Sequence, residues 1–152
     1  MRRGLILLAV LAAANALPAA ASTPIRWTLI SHGIASGTPS HGADALLATS
    51  SASADRVTAG LPAAAVTAAG RVNFRTSILV DVYGPFGCTD GRVHITRISE
   101  TGATLVVHLA VKPLPPGVAS CLAIFQTYRL VVVPRRGLGT IPTTARVTVA
   151  RT

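Results

Sequence analysis

From Arg75 onward, apolar and polar residues alternate with a period of two, and this pattern confines that half of the chain to β-structure. Residues 76–84 are nearly continuous in apolar side chains, as a central strand requires. Over 92–98, Val93 and Ile95 alternate with His94 and Thr96. Over 104–111, Leu105, Val107, Leu109 and Val111 share one face. Tyr128, Leu130 and Val132 share a face of the last long strand, with Thr127 and Arg129 opposite. Over 144–150, Ala145, Val147 and Val149 point inward, and Thr144, Arg146 and Thr148 outward. Such alternation belongs to antiparallel strands with one solvated face. Residues 99–103 are expected to form a hairpin loop, with Gly102 supplying the positive φ. Residues 112–117, with Pro113, Pro115 and Pro116, are a loop because proline cannot donate to a ladder.

The first half is less regular. Residues 25–31 alternate well enough for one strand, and the Gly/Ser/Pro/His-rich stretch 33–43 reads as loop. Ser51 or Ser53 is positioned to cap a short helix over 54–59. Gly60 stops it, Pro62 restarts the chain, and 63–69 add another helical turn or two. The expected fold is α+β, mainly β: a twisted antiparallel sheet or small sandwich with a short helical N-terminal layer. The irregular and helical part spans 22–72 and the antiparallel core 73–152. At 152 residues, with half of them hydrophobic and 12% charged, the chain is a single domain that can bury a core, not a disordered one. Thirteen glycines and ten prolines exclude a long coiled coil. With aromatics at 4%, the core is aliphatic.

The N-terminus reads as a signal peptide. A positive Met1-Arg2-Arg3 precedes an apolar run over 4–17, and Ala19 and Ala21 fit a small-residue cleavage site after Ala21. The run falls short of the roughly 20 residues that span a bilayer. The expected product is secreted, or held in the periplasm or cell envelope, without stable membrane insertion. Cleavage removes Arg2 and Arg3 from the 14 basic residues, leaving 12 against five acidic ones, a net +7. These bases are scattered and poor in aromatic neighbours, which argues against nucleic acid as a partner. In an oxidising compartment, Cys88 and Cys121 read as one disulfide. Closing that loop stabilises by about 3–4 kcal/mol in the chain-entropy treatment.

Little in the sequence points to catalysis. Asp44, Asp55, Asp81, Asp90 and Glu100 form no close acidic pair, and no nucleophile elbow, His-Glu-x-x-His, phosphate loop or Cys-x-x-Cys is present. A Ser-His-Asp site built around His32 or His41 is a combination expected by chance, so the chain is read as non-enzymatic. Pairing Ile95 with Val107 and Val93 with Leu109 would set His94 opposite His108. That pair is a weak metal candidate without a third ligand, and no metal or cofactor is expected.

Several of these segments together resemble a known family. They are Val72-Asn73-Phe74, the strand 78–83, the glycine-containing turn 84–91, the hairpin, the Pro-rich loop, and Thr127-Tyr128-Arg129-Leu130-Val131-Val132-Val133-Pro134-Arg135. Over 73–135 the chain resembles the C-terminal domain of PrcB-like protease-complex subunits. Asn73-Phe74 stands for that family's Asp-Phe, Gly91-Arg92 for its Gly-Tyr, and Thr127-Tyr128 for its Pro-Tyr. The resemblance implies an exported accessory protein that stabilises or assembles with a secreted or cell-surface protease. The expected contact loops at one end of the sheet carry Phe86, Asp90, Arg92, Pro115 and Pro116. The alternatives are an inhibitor-like domain that plugs a protease cleft with loops 85–92 and 112–120, and a secreted hydrolase.

Overall fold

A computed structural model describes residues 24–35, 42–84, 92–113 and 125–151. It shows an α+β, mainly β, fold. The elements are β1 (Thr28–Ile34), β2 (Asp44–Ala48), α1 (Ser51–Val57), α2 (Ala63–Gly70), β3 (Ser77–Tyr83), β4 (Val93–Thr101), β5 (Thr104–Val111), β6 (Thr127–Pro134) and β7 (Thr144–Arg151). They build two sheets: an antiparallel one in the order β1-β6-β3-β2, and a smaller one in the order β4-β5-β7. The outcome is the sandwich rather than a single sheet.

The strand periodicity explains the layers. Ile78, Val80 and Val82 of β3 and Val131 and Val133 of β6 face Val93, Ile98, Leu105, Val107 and Leu109 of the second sheet. The opposite face of the first sheet, with Leu79, Tyr128 and Leu130, packs against Ala54, Val57, Leu61, Ala65 and Ala69 of the helical region. Alanines at the helix contacts let both short helices lie close to the sheet, so β3 is covered on both sides. That double burial accounts for its near-continuous apolar run. Each fully buried aliphatic side chain contributes about 1.5–3 kcal/mol.

Local chemistry sets the ends of the helical layer. Ser50 is the N-cap of α1, and Ser53 answers it from the third helical position in a capping box. The cap thus lies one residue before the expected Ser51. Gly60, at φ 82°, makes the left-handed step that ends this turn. The sequence reading assigned no element to 44–48, yet these residues form β2 and pair with β3 from Asp44↔Tyr83 to Ala48↔Leu79. β1 begins and ends three residues later than expected, and its pairing with β6 shifts register between Leu29 and Ser31.

The second sheet corrects two expectations. The hairpin turns on Gly102 and Ala103 alone, with Gly102 at φ 57°, and Thr101 pairs with Thr104. A register shift between Ile95 and Arg97 follows, so Ile95 pairs with Leu109 and Val93 with Val111. His94 therefore lies opposite Ala110, and His108 opposite Arg97; the two histidines are not directly opposed. The all-antiparallel core is corrected as well, because β7 runs parallel to β5. β6 belongs to the first sheet, and the chain crosses to the second where β5 begins. There Ala103 O accepts from Thr143 N at 2.9 Å, and β7 then runs alongside β5 in the same direction.

Candidate functional site

The antiparallel topology brings several strand termini to one end of the sandwich: the close of β1, β3 and β5, and the start of β2, β4 and β6. Backbone bonds tie them together. Gly84 N donates to Thr127 O at 2.9 Å, Lys112 N to Arg92 O at 2.9 Å, and Ala35 N to Gln126 O at 2.9 Å. Gln126 Nε2 reaches Gly42 O at 3.1 Å. Connections 36–41, 85–91 and 114–124 thus all leave from and return to one rim. On that rim, Ile34 and Phe125 remain 45% and 40% exposed, large apolar groups that face water. The Arg92 guanidinium donates to Lys112 O, fixing one edge of the rim, while its Nε is buried without a described partner.

Of the expected contact residues, Arg92 sits on this rim. Phe86, Asp90, Pro115, Pro116, both cysteines, His41 and the signal-peptide segment lie outside the described residues. His32 is exposed on β1, opposite Arg129.

Below the rim, on the helix-facing side of the first sheet, lies Asp81. It falls within the apolar run of β3, between Leu46 and Leu130. It is 0% exposed, and neither carboxylate oxygen has a hydrogen-bond partner of good geometry, the Tyr83 hydroxyl being the one polar group close enough to interact. Burial pushes its pKa up to about 7, and the nearby Tyr83 hydroxyl offsets only part of that. The phenol of Tyr83 is in turn pushed up by burial, then by the charge of Asp81 and the hydrogen bond to its carboxyl, and last by the charge of Asp44. Beside them, the Tyr128 hydroxyl is engaged with Ser31 Oγ at 3.1 Å. An aspartate within a hydrophobic strand was the available signal in the sequence, and it passed without comment in the strand reading.

On the outer face of the second sheet, His108 Nε2 meets Ser99 Oγ at 3.1 Å and Nδ1 meets Thr148 Oγ1 at 2.9 Å. Burial, then the charges of Arg97 and Arg146, hold His108 below its ordinary pKa, which favours the neutral ring. The arrangement has the connectivity of an oriented serine–histidine pair. Ser99, however, is only 2% exposed, so its hydroxyl has no open side for a substrate. The three residues instead form a hydrogen-bonded ladder across β4, β5 and β7. Among the described residues, no group of three or more His, Cys, Asp or Glu could hold a metal ion, and no helix is long and apolar enough to cross a membrane.

No protein-family model matches the chain, and neither a curated protein nor a solved structure shows significant similarity to it.

Proposed function

We propose that this is an exported, non-enzymatic accessory protein that docks on a protein partner through the loop-bearing rim. The observation that carries this reading is the convergence of strand ends from both sheets, with Ile34 and Phe125 exposed on the same rim as Arg92 and Lys112. A rigid sandwich presenting connections at one end is a common platform for recognition. The resemblance over 73–135 to the C-terminal domain of PrcB-like subunits points to a secreted or cell-surface protease as the partner class. The same rim also suits an inhibitor that inserts loops into a cleft.

A Cys88–Cys121 bridge belongs to this proposal. It would link connections 85–91 and 114–124, whose flanking residues Arg92 and Lys112 are hydrogen-bonded neighbours. Intact mass after alkylation, with and without reductant, should show two thiols that react only after reduction.

The docking test compares the protein with an Ile34→Glu/Phe125→Glu variant as bait for the native secretome, followed by zymography of what is retained. A protease held by the parent and lost by the variant supports the reading. Prolonged activity of that protease indicates a stabilising subunit, and suppressed turnover an inhibitor. Identical retention by both baits would overturn the assignment of the rim.

A further inference from the structure

The end of the sandwich opposite the rim carries a different chemistry. Where β3 starts and β6 ends, Arg75, Thr76, Ser77, Pro134, Arg135 and Arg136 line a cleft of about 510 Å³. Three guanidinium-bearing residues thus share one opening, and no carboxylate lines it.

The cleft is held by local hydrogen bonds. Asn73 O accepts from Thr76 N at 3.1 Å and Ser77 N at 3.0 Å, and Asn73 Oδ1 accepts from Arg75 N at 3.0 Å. This tight turn fixes the backbone beneath Arg75. Arg135 N donates to Thr76 O at 2.8 Å, joining the turn to the end of β6. The Arg135 side chain is anchored twice, Nε to Ser77 O at 3.3 Å and Nη2 to Thr49 O at 2.8 Å. It is therefore a fixed charge rather than a swinging one. Arg75 and Arg136 are exposed on either side, and their side chains engage no carboxylate among the described residues.

Like charges gathered without counter-charge repel one another, so an anion entering the cleft relieves that repulsion and gains charge-assisted hydrogen bonds. Guanidinium forks match the oxygen spacing of phosphate, and Ser77 adds a neutral polar residue to the lining, the Thr76 hydroxyl being committed to Asn73 O at 3.3 Å. We propose that this cleft binds phosphate groups, presented either by a soluble polyphosphate or by an anionic lipid headgroup. It lies at the far end from the rim, so a protein partner and a phosphate can be held together.

Inorganic pyrophosphate titrated calorimetrically into the protein at low ionic strength should bind saturably with one-to-one stoichiometry. Arg75→Ala combined with Arg136→Ala should weaken that binding at least about tenfold. A control pair losing the same charge elsewhere, Arg97→Ala with Arg146→Ala on the outer face of the second sheet, should stay within about twofold. Both pairs are at exposed positions, and unchanged thermal midpoints will show that the variants fold. Co-sedimentation with phosphatidylcholine vesicles, with and without phosphatidylglycerol, separates the sources. Retention by the anionic vesicles that pyrophosphate displaces assigns a headgroup, and pyrophosphate binding without retention assigns a soluble phosphate. Absence of saturable binding, or equal weakening by both arginine-depleted and control pairs, would overturn the site.

Discussion

Replacing Asp81 with asparagine should remove a loss of stability that this protein otherwise suffers as pH rises. The carboxyl is fully buried with no well-formed hydrogen bond, and burial, only partly offset by the Tyr83 hydroxyl, raises its pKa from 3.8 to about 7. In the unfolded chain it ionises near its ordinary value. Between those two pH values the folded protein therefore binds more protons than the unfolded one, and stability falls as pH rises. The stabilisation is complete below 3.8 and is lost as pH climbs through about 7. A displacement of that size corresponds to about 4 kcal/mol, a large share of the stability of a domain this small.

Other groups act in the same range with opposite sign. His108 is held below its ordinary 6.5, so its contribution grows as pH rises through the folded value toward 6.5. General charge repulsion in a chain of net +9 also worsens on acidification. The informative quantity is thus the difference between parent and Asp81→Asn, in which these shared contributions cancel. Urea unfolding from about pH 4 to about pH 8 should show the variant gaining on the parent by several kcal/mol across the range. At the alkaline end the variant should be the more stable protein. A difference that stays flat with pH, or a variant that is weaker at pH 8, would refute the buried unpaired carboxylate.

Three further changes probe other parts of the fold. Gly84→Ala places a Cβ 2.5 Å from Thr127 Oγ1 and 3.3 Å from Val93 Cγ1, so overpacking should cost about 1–3 kcal/mol in urea unfolding. Ser50→Ala removes the acceptor for Ser53 N and half of the capping box of α1, and should cost about 1 kcal/mol by the same measurement. Glu100 accepts from Gly139 N at 2.8 Å and from Thr140 N and Oγ1 at 3.0 Å, and the Gly139 bond is the main cause of its lowered pKa. Its stabilisation is present above the ordinary 4.5 and is lost as pH falls through the lower folded value. Glu100→Gln should therefore flatten the acid side of the unfolding curve.

The strands were legible wherever alternation coincided with burial on one face or two. Leu105, Val107 and Leu109 face the intersheet core as read, and Tyr128, Leu130 and Val132 share the helix-facing side. Asp44–Ala48 escaped because its two Ala and two Leu carry helical propensity, and only pairing with β3 makes the segment a strand. Register was not available from periodicity alone. The hairpin could close on five residues or on Gly102-Ala103, and the shift between Ile95 and Arg97 then moved His94 away from His108. The parallel pairing of β7 was hidden because its inward Ala145 and Val147 look the same whichever direction the strand runs.

These corrections change which residues act together. An antiparallel core closing on itself would have left the histidine pair as the only cross-strand cluster of chemical interest. With β7 parallel beside β5, His108 is taken up by Ser99 and Thr148 and becomes part of the framework. The distinctive groups are left at the two ends of the strands and inside β3. Exposed apolar side chains lie at one end, and unopposed arginines line a cleft at the other. Asp81, near neutral pH, lies in the strand that joins them. β3 pairs with both β2 and β6, so ionisation of Asp81 loads one of the two central strands, β3 and β6, that run from the rim to the cleft and are packed on both faces. If occupancy of the cleft stiffens β3, the stability difference between parent and Asp81→Asn at pH 8 will be altered by bound pyrophosphate. An unaltered difference would show that the cleft and the buried carboxyl are energetically separate.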